Sequence, residues 1–134
     1  MKAEEIEYIR YRLSKALETL QEANALYANG FTMGVVNRVY YACFYAVSAL
    51  LLSEGYSSAR HSGVISLFER HWIKPGRLPS GIGEFYRNMF KRHHQGDYED
   101  MASFEKSDVE PWLVQAAQFI DAVSKCTEEQ IAEA

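Results

Sequence analysis

Cysteine is scarce in this chain of 134 residues, which contains only two. Cys43 and Cys126 are widely separated and fall on predicted helices, so buried free thiols are favoured over a disulfide or a metal site. The length is that of about one domain and is sufficient to bury a core without such cross-links. The sequence therefore predicts a single domain over residues 1–134.

Long apolar runs are also missing. The longest, Val39–Leu52, has 14 residues between Arg38 and Glu54, and is too short to span a bilayer. Met1 is followed by K-A-E-E-I-E, which lacks the basic and then apolar pattern of a signal peptide. We therefore expect a cytoplasmic protein without a membrane segment.

The sequence shows no alternating strand pattern of useful length, no internal repeat and no low-complexity segment. Apolar residues instead recur at steps of three and four, which is the period of amphipathic helices. The predicted helices cover residues 3–28, Thr32 to about Ser53, His61 to Trp72, residues 82–94, and the segment after Pro111. The expected fold class is therefore all-α, a bundle of about five helices.

Residues typical of helix ends support these boundaries. Asn29–Gly30 and Gly55 are expected to stop the first two helices, because glycine accepts the left-handed conformation at no steric cost. Ser107–Glu110 matches a capping box for the last helix, after an acidic connector over residues 97–106. Thr127–Gln130 repeats the capping pattern, so a frayed final turn is expected.

Basic residues are few overall but concentrated in one part of the chain. The net charge is −4, yet residues 56–95 contain seven Lys or Arg and two acids. Such segregation permits a local phosphate-binding surface on an acidic protein, and it is equally compatible with solvated helix faces. No glycine-rich phosphate loop and no His and carboxylate pair with ligand spacing are present, so no metal and no cofactor are predicted.

Two polar stretches on predicted helices remain to be explained. Arg87, Lys91 and His94 share one face of the helix over 82–94, opposite to an apolar face. Arg38 begins the most apolar part of the second helix and is expected to pair with a carboxylate, with a ligand-facing role as the alternative. His61, in the first turn of the third helix, is interpreted as a packing or capping residue.

Three segments together resemble HEPN domains. They are R-V-Y-Y-A-C-F-Y-A-V-S-A-L-L from Arg38 to Leu51, H-S-G-V-I-S-L-F from His61 to Phe68, and the basic run that ends G-D-Y at Tyr98. The similarity is to the small prokaryotic branch, often encoded beside a minimal nucleotidyltransferase. It implies an antiparallel helical bundle that usually forms a homodimer.

Active members of that family are metal-independent ribonucleases with an Arg, a polar residue, and a His four to six residues after the Arg. Arg87, Asn88 and His93 fit this pattern, and the resemblance implies that they are catalytic. Arginine presents a fixed fork of donors to a phosphate, and histidine titrates near neutrality, so both suit RNA cleavage.

A second family pattern, an Arg before Asp-Tyr, is associated with non-nucleolytic binding partners, and Arg92, Asp97 and Tyr98 fit it. Two hypotheses follow, a toxin-like domain that binds or cleaves RNA, and a non-catalytic nucleotide-binding or interaction module that docks a nucleotidyltransferase. The residues assigned to binding are Lys91, Arg92, His94, Asp97, Tyr98 and Arg38.

Overall fold

The computed structural model describes the backbone of residues 1–98 and 103–134, and the side chains of residues 1–94 and 103–134. The described residues form helices α1 (Ala3–Ala28), α2 (Thr32–Ser53), α3 (His61–Phe68), α4 (Ser80–Tyr98) and α5 (Lys106–Glu133), with a π-helical segment (Glu69–Ile73) that continues α3. No strand occurs in these ranges. The predicted all-α fold of about five helices is therefore confirmed.

Helix α2 is the central element of the bundle. It packs against α1, α4, α5 and α3, and 12 of its 22 residues are buried. By length and composition α2 is apolar enough to cross a membrane, but 61% of its most apolar window is buried inside the bundle. Its apolar character on nearly every side is thus explained by its central position within one chain.

Both predicted glycine stops are confirmed. Gly30 and Gly55 have φ angles of 80° and 83°, in the left-handed region. Directly after them, the amides of Phe31 and Tyr56 donate to the carbonyls of Leu26 and Leu51, at 2.9 Å each. These reversals bring α1 and α2 side by side and set the start of the loop before α3.

The start of α5 differs from its prediction by two residues. The reciprocal capping pair is Glu105 and Asp108, and the Asp108 carboxylate accepts the Glu105 amide at 2.9 Å. Glu105 has the extended backbone that a capping residue requires, whereas Ser107 already lies inside the helix. The Glu110 carboxylate instead accepts the Tyr27 hydroxyl at 3.0 Å.

Two further boundaries are corrected. Helix α4 runs to Tyr98, so residues 97 and 98 belong to its last turn and not to a connector. Helix α5 continues to Glu133 without a new start at Thr127. The buried Thr127 hydroxyl donates to the Val123 carbonyl at 2.9 Å, one turn back in the same helix, and so caps nothing.

The core is rich in aromatic side chains and contains a free thiol. Tyr40, Tyr86, Phe68 and Phe119 are among its largest fully buried side chains. Cys43 is buried, Cys126 is partly buried, and both are free, as predicted. Burial raises the pKa of the Cys43 thiol, which keeps it protonated and unreactive.

Candidate functional site

His93 is built into the contact between α4 and α2. It lies three and seven residues after Phe90 and Tyr86, on the inward face of α4, and is only 8% exposed. Its ring stacks on the Tyr40 ring, with centroids 4.6 Å apart and an interplanar angle of 9°. The Tyr41 ring meets it edge to face at 5.2 Å. The imidazole is therefore fixed in orientation by two rings of α2.

Asn37 connects His93 to Arg38. The Asn37 Oδ1 accepts hydrogen bonds from Nε and Nη2 of Arg38, at 2.9 and 2.8 Å. Because arginine only donates, the amide oxygen must face it, and the amide nitrogen faces His93 Nδ1 at 3.4 Å. In the neutral imidazole Nδ1 is then the acceptor, and Nε2 carries the proton. The side-chain amide of Asn37 thus orients both the guanidinium of Arg38 and the imidazole of His93.

Arg38 makes two further contacts. Its guanidinium carbon lies 5.2 Å from the centroid of the Tyr41 ring. Its Nη1 is 3.5 Å from the Glu22 carboxylate, which confirms the predicted pairing with an acid. The Arg38 side chain is 30% exposed and that of Glu22 48%, so solvent weakens this ion pair and leaves the arginine accessible to an anion.

A second histidine borders the same tyrosine. His61 Nδ1 is 2.9 Å from the Tyr40 hydroxyl, and its ring lies 4.5 Å from Phe44 and 5.7 Å from Tyr41. Burial raises the pKa of Tyr40, so its hydroxyl stays protonated, and one hydrogen bond joins it to His61 Nδ1. The packing role predicted for His61 is confirmed, although its partners are on α2.

Arg87 faces a different part of the molecule. Its guanidinium forms an ion pair with Glu69 in the π-helical segment. Six helical residues separate Arg87 from His93, which corresponds to about 120° around the helix axis and about 9 Å along it. Asn88, next to Arg87, is half-buried. The structure therefore places Arg87 beside Glu69 and His93 beside Asn37, so the two predicted catalytic side chains have different surroundings.

The predicted binding residues on α4 also have distinct surroundings. Lys91 and His94 are exposed, and the His94 ring lies 6.0 Å from that of Phe90. Arg92 covers the Trp112 ring at 4.1 Å, and burial lowers its pKa, which is typical of a packing arginine. The side chains of Asp97 and Tyr98 lie outside the described residues.

Sequence reasoning missed Asn37, Tyr40 and Tyr41 as parts of the site. The three share a helix face at i, i+3 and i+4, and that spacing was the available signal. Within residues 1–94 and 103–134, no group of three or more His, Cys, Asp or Glu is arranged to hold a metal ion. The cluster can supply hydrogen-bond donors and positive charge to an anion.

Over its described residues, the protein is a small all-α domain of five helices. Its polar site, formed by Arg38, Asn37 and His93, joins α2 to α4 beside the aromatic core. The sequence profile of the HEPN domain matches residues 9–127. The chain therefore belongs to the HEPN domain family, as the sequence motifs indicated.

Individual relatives agree with this assignment. A UPF0332 protein of Thermotoga maritima is 41% identical over 121 residues, 90% of this chain and 92% of that protein. A candidate toxin of Methanocaldococcus jannaschii, MJ0142, is 29% identical over 84% of this chain and 77% of its own length. The crystal structure of TT1696 from Thermus thermophilus superposes with a TM-score of 0.75, 18% identity, and coverage of 88% and 97% of the two chains. This last similarity concerns the fold alone.

Proposed function

We propose that this HEPN domain is a toxin-like protein that binds RNA and cleaves it without a metal ion. The observation that carries the proposal is the linkage of Arg38 and His93 through Asn37, which holds a cation and an imidazole on the same amide. Two relatives from M. jannaschii are described as candidate toxins, which supports the toxin-like class.

The chemistry of these donors suits a phosphodiester under attack. The ribose 2′-oxygen attacks the adjacent phosphorus, the bond from phosphorus to the 5′-oxygen breaks, and a 2′,3′-cyclic phosphate and a 5′-hydroxyl end result. Arg38 and the Nε2–H of His93 stabilise the negative charge that develops on the non-bridging oxygens. Water accepts the proton of the 2′-hydroxyl and returns one to the leaving oxygen. His93 thus acts as a donor in this geometry.

Labelled single-stranded RNA in excess chelator tests the proposal. Arg38→Gln and His93→Phe are each expected to reduce binding and cleavage about tenfold or more, because each removes a donor to charged oxygens. Phenylalanine keeps the stacking on Tyr40. Arg10→Gln is the matched charge control, because Arg10 is exposed and pairs with Glu128 on another surface. Equal losses in all three variants would contradict the assigned site.

Arg87→Gln belongs in the same series. The motif predicts that Arg87 and Asn88 are catalytic, and the Arg87 side chain is 45% exposed, although one of its guanidinium nitrogens pairs with Glu69. Loss of cleavage in Arg87→Gln, with Arg38→Gln unaffected, would transfer the role of the arginine from Arg38 to Arg87.

A specific observation favours the second candidate function, a non-catalytic module that docks a nucleotidyltransferase. Two arginines of the basic run are engaged within the chain, Arg87 by Glu69 and Arg92 by Trp112. Well-folded protein that neither binds nor cleaves RNA, but co-purifies with a nucleotidyltransferase encoded beside it, would establish this function.

A further inference from the structure

A cavity of about 190 Å³ lies between α1, α2 and the loop that joins α2 to α3. Its lining combines one guanidinium, that of Arg12, with three serines and the rings of Tyr8, Phe44 and Tyr56. A second hollow of about 310 Å³ adjoins it and shares Tyr8 and Tyr56 with it. The two adjoining hollows form one groove, with the Arg12 guanidinium in the first hollow, the Glu5 carboxylate in the second, and aromatic side chains shared between them.

Arg12 differs from most of the arginines described so far. Four of them, Arg10, Arg38, Arg77 and Arg87, each pair with a glutamate. The Arg12 Nε is buried and has no hydrogen-bond partner within the described residues. The guanidinium instead lies against the rings of Tyr8 and Tyr45, 5.5 and 5.6 Å from their centroids. Arg12 lines the cavity, so an oxyanion there would accept hydrogen bonds from the guanidinium nitrogens other than Nε.

The tyrosines of the groove suit a planar ligand. Tyr8 is 48% exposed and Tyr56 is 37% exposed, so parts of both rings are accessible. Tyr56 is fixed from behind, because its ring stacks on His71 at 4.1 Å and its amide donates to the Leu51 carbonyl. An accessible ring that is already immobilised stacks on a nucleobase with little further loss of entropy.

The cavity adjoins the site proposed for RNA. Phe44 forms part of its wall and also contacts His61 at 4.5 Å. His61 in turn meets the hydroxyl of Tyr40, whose ring carries His93. A ligand in the cavity is therefore separated from the histidine cluster by one aromatic ring.

We infer that this groove is a nucleotide subsite, in which Arg12 binds a phosphate and Tyr8 and Tyr56 stack on the attached base. The inference rests on the proposed function, since it takes RNA as the source of the nucleotide. The groove would hold one nucleotide of the same RNA strand whose scissile phosphate reaches Arg38 and His93.

The test is an NMR titration of the isotope-labelled full chain with adenosine 5′-monophosphate, and in separate arms with adenosine and with inorganic phosphate. The monophosphate is expected to shift resonances of Tyr8, Arg12 and Tyr56, and to bind about tenfold or more tightly than either fragment, because the two contacts act together. Arg12→Gln should weaken this binding about tenfold or more, and Arg10→Gln should leave it unchanged.

Several outcomes would overturn the subsite. They are no shifts at the groove in the wild-type chain, equal affinity of Arg12→Gln and Arg10→Gln, or shifts confined to Arg38 and His93. The wild-type titration keeps the inference testable even if Arg12→Gln fails to fold. The titration measures binding and is independent of the RNA cleavage assay. Absence of groove binding together with intact RNA cleavage therefore refutes the subsite alone. Groove binding without RNA cleavage refutes the proposed reaction alone.

Discussion

Two buried tyrosines with nearly parallel rings differ in the hydrogen bonding of their hydroxyl groups. The rings of Tyr40 and Tyr86 are 6.1 Å apart, with an interplanar angle of 12°. The Tyr40 hydroxyl meets His61, whereas that of Tyr86 lies near the Tyr40 hydroxyl but makes no hydrogen bond of ordinary geometry with a described residue. The two tyrosine hydroxyls are therefore expected to contribute differently to the stability of the fold.

Tyr40→Phe is expected to lower the free energy of unfolding by about 1 kcal/mol, because it removes the hydrogen bond to His61. Tyr86→Phe is the matched control and should cost less, since its hydroxyl is buried without such a bond. Urea denaturation followed by circular dichroism compares the two. A larger loss in Tyr86→Phe would contradict the assigned hydrogen bond.

The pKa values of these tyrosines predict an alkaline limit of stability. Burial raises the pKa of both Tyr40 and Tyr86 in the folded chain. In the unfolded chain they ionise near the usual pKa of about 10, so the folded state is fully favoured below that pH and loses stability as the pH rises above it.

An alkaline titration followed by tyrosinate absorbance and by circular dichroism tests this limit. The last increments should coincide with the loss of helical circular dichroism, and Tyr86→Phe should move that unfolding step to higher pH. Complete tyrosine titration before any loss of helix would show that the two hydroxyls are accessible.

At the scale of the element, the register of the α5 cap gives a direct test. Asp108→Ala removes the acceptor of the Glu105 amide and should lower the free energy of unfolding by about 1 kcal/mol. Ser107→Ala, one residue earlier and inside the helix, should have a much smaller effect. The reverse order in a denaturation experiment would support the capping box predicted from the sequence.

Glu54, directly after α2, connects the end of this helix to the π-helical segment through hydrogen bonds. Its carboxylate accepts the Trp72 indole N–H at 2.5 Å and an Arg77 N–H at 3.0 Å, and Arg77 covers the Trp72 ring at 3.6 Å. Glu54→Ala should cost about 1 to 3 kcal/mol by leaving the indole unpaired. Glu54→Gln keeps one acceptor and should cost less, as measured by thermal unfolding of both variants.

At the scale of the whole molecule, the proposed homodimer remains a prediction. The apolar α2 does not require a second subunit, because the single chain buries it. Sedimentation equilibrium measures the oligomeric state directly, and we expect a dimer. The hypothesis of a toxin-like RNA-cleaving domain predicts that the basic runs of the two subunits face a shared cleft.

Mixing variants decides whether each catalytic unit is complete in one chain. Arg38 and His93 are connected through Asn37 of the same chain, so a mixed dimer of Arg38→Gln and His93→Phe should recover no RNA cleavage. Wild-type chain mixed with either variant should give activity in proportion to the wild-type content. Recovery in the mixture of the two variants would show that the site is shared between subunits.

The sequence by itself determined the five helices and their glycine stops, because periodicity and backbone freedom are local properties of the chain. It also located the basic stretch and the apolar face of α4 that includes Phe85, Tyr86 and Met89, but it did not place His93 on the inward side. It did not place the α5 cap, where Glu105–Asp108 and Ser107–Glu110 offer similar chemistry two residues apart.

Only the tertiary structure decided which partner each polar side chain has. Arg87 pairs with Glu69, 18 residues away, and His93 meets Asn37, 56 residues away. Helical spacing fixes the direction in which a side chain points, but the packing of α4 on α2 and on the π-helical segment fixes what it meets. For this reason the sequence indicated Arg87 as the partner of His93, whereas the fold brings His93 to Arg38 through Asn37.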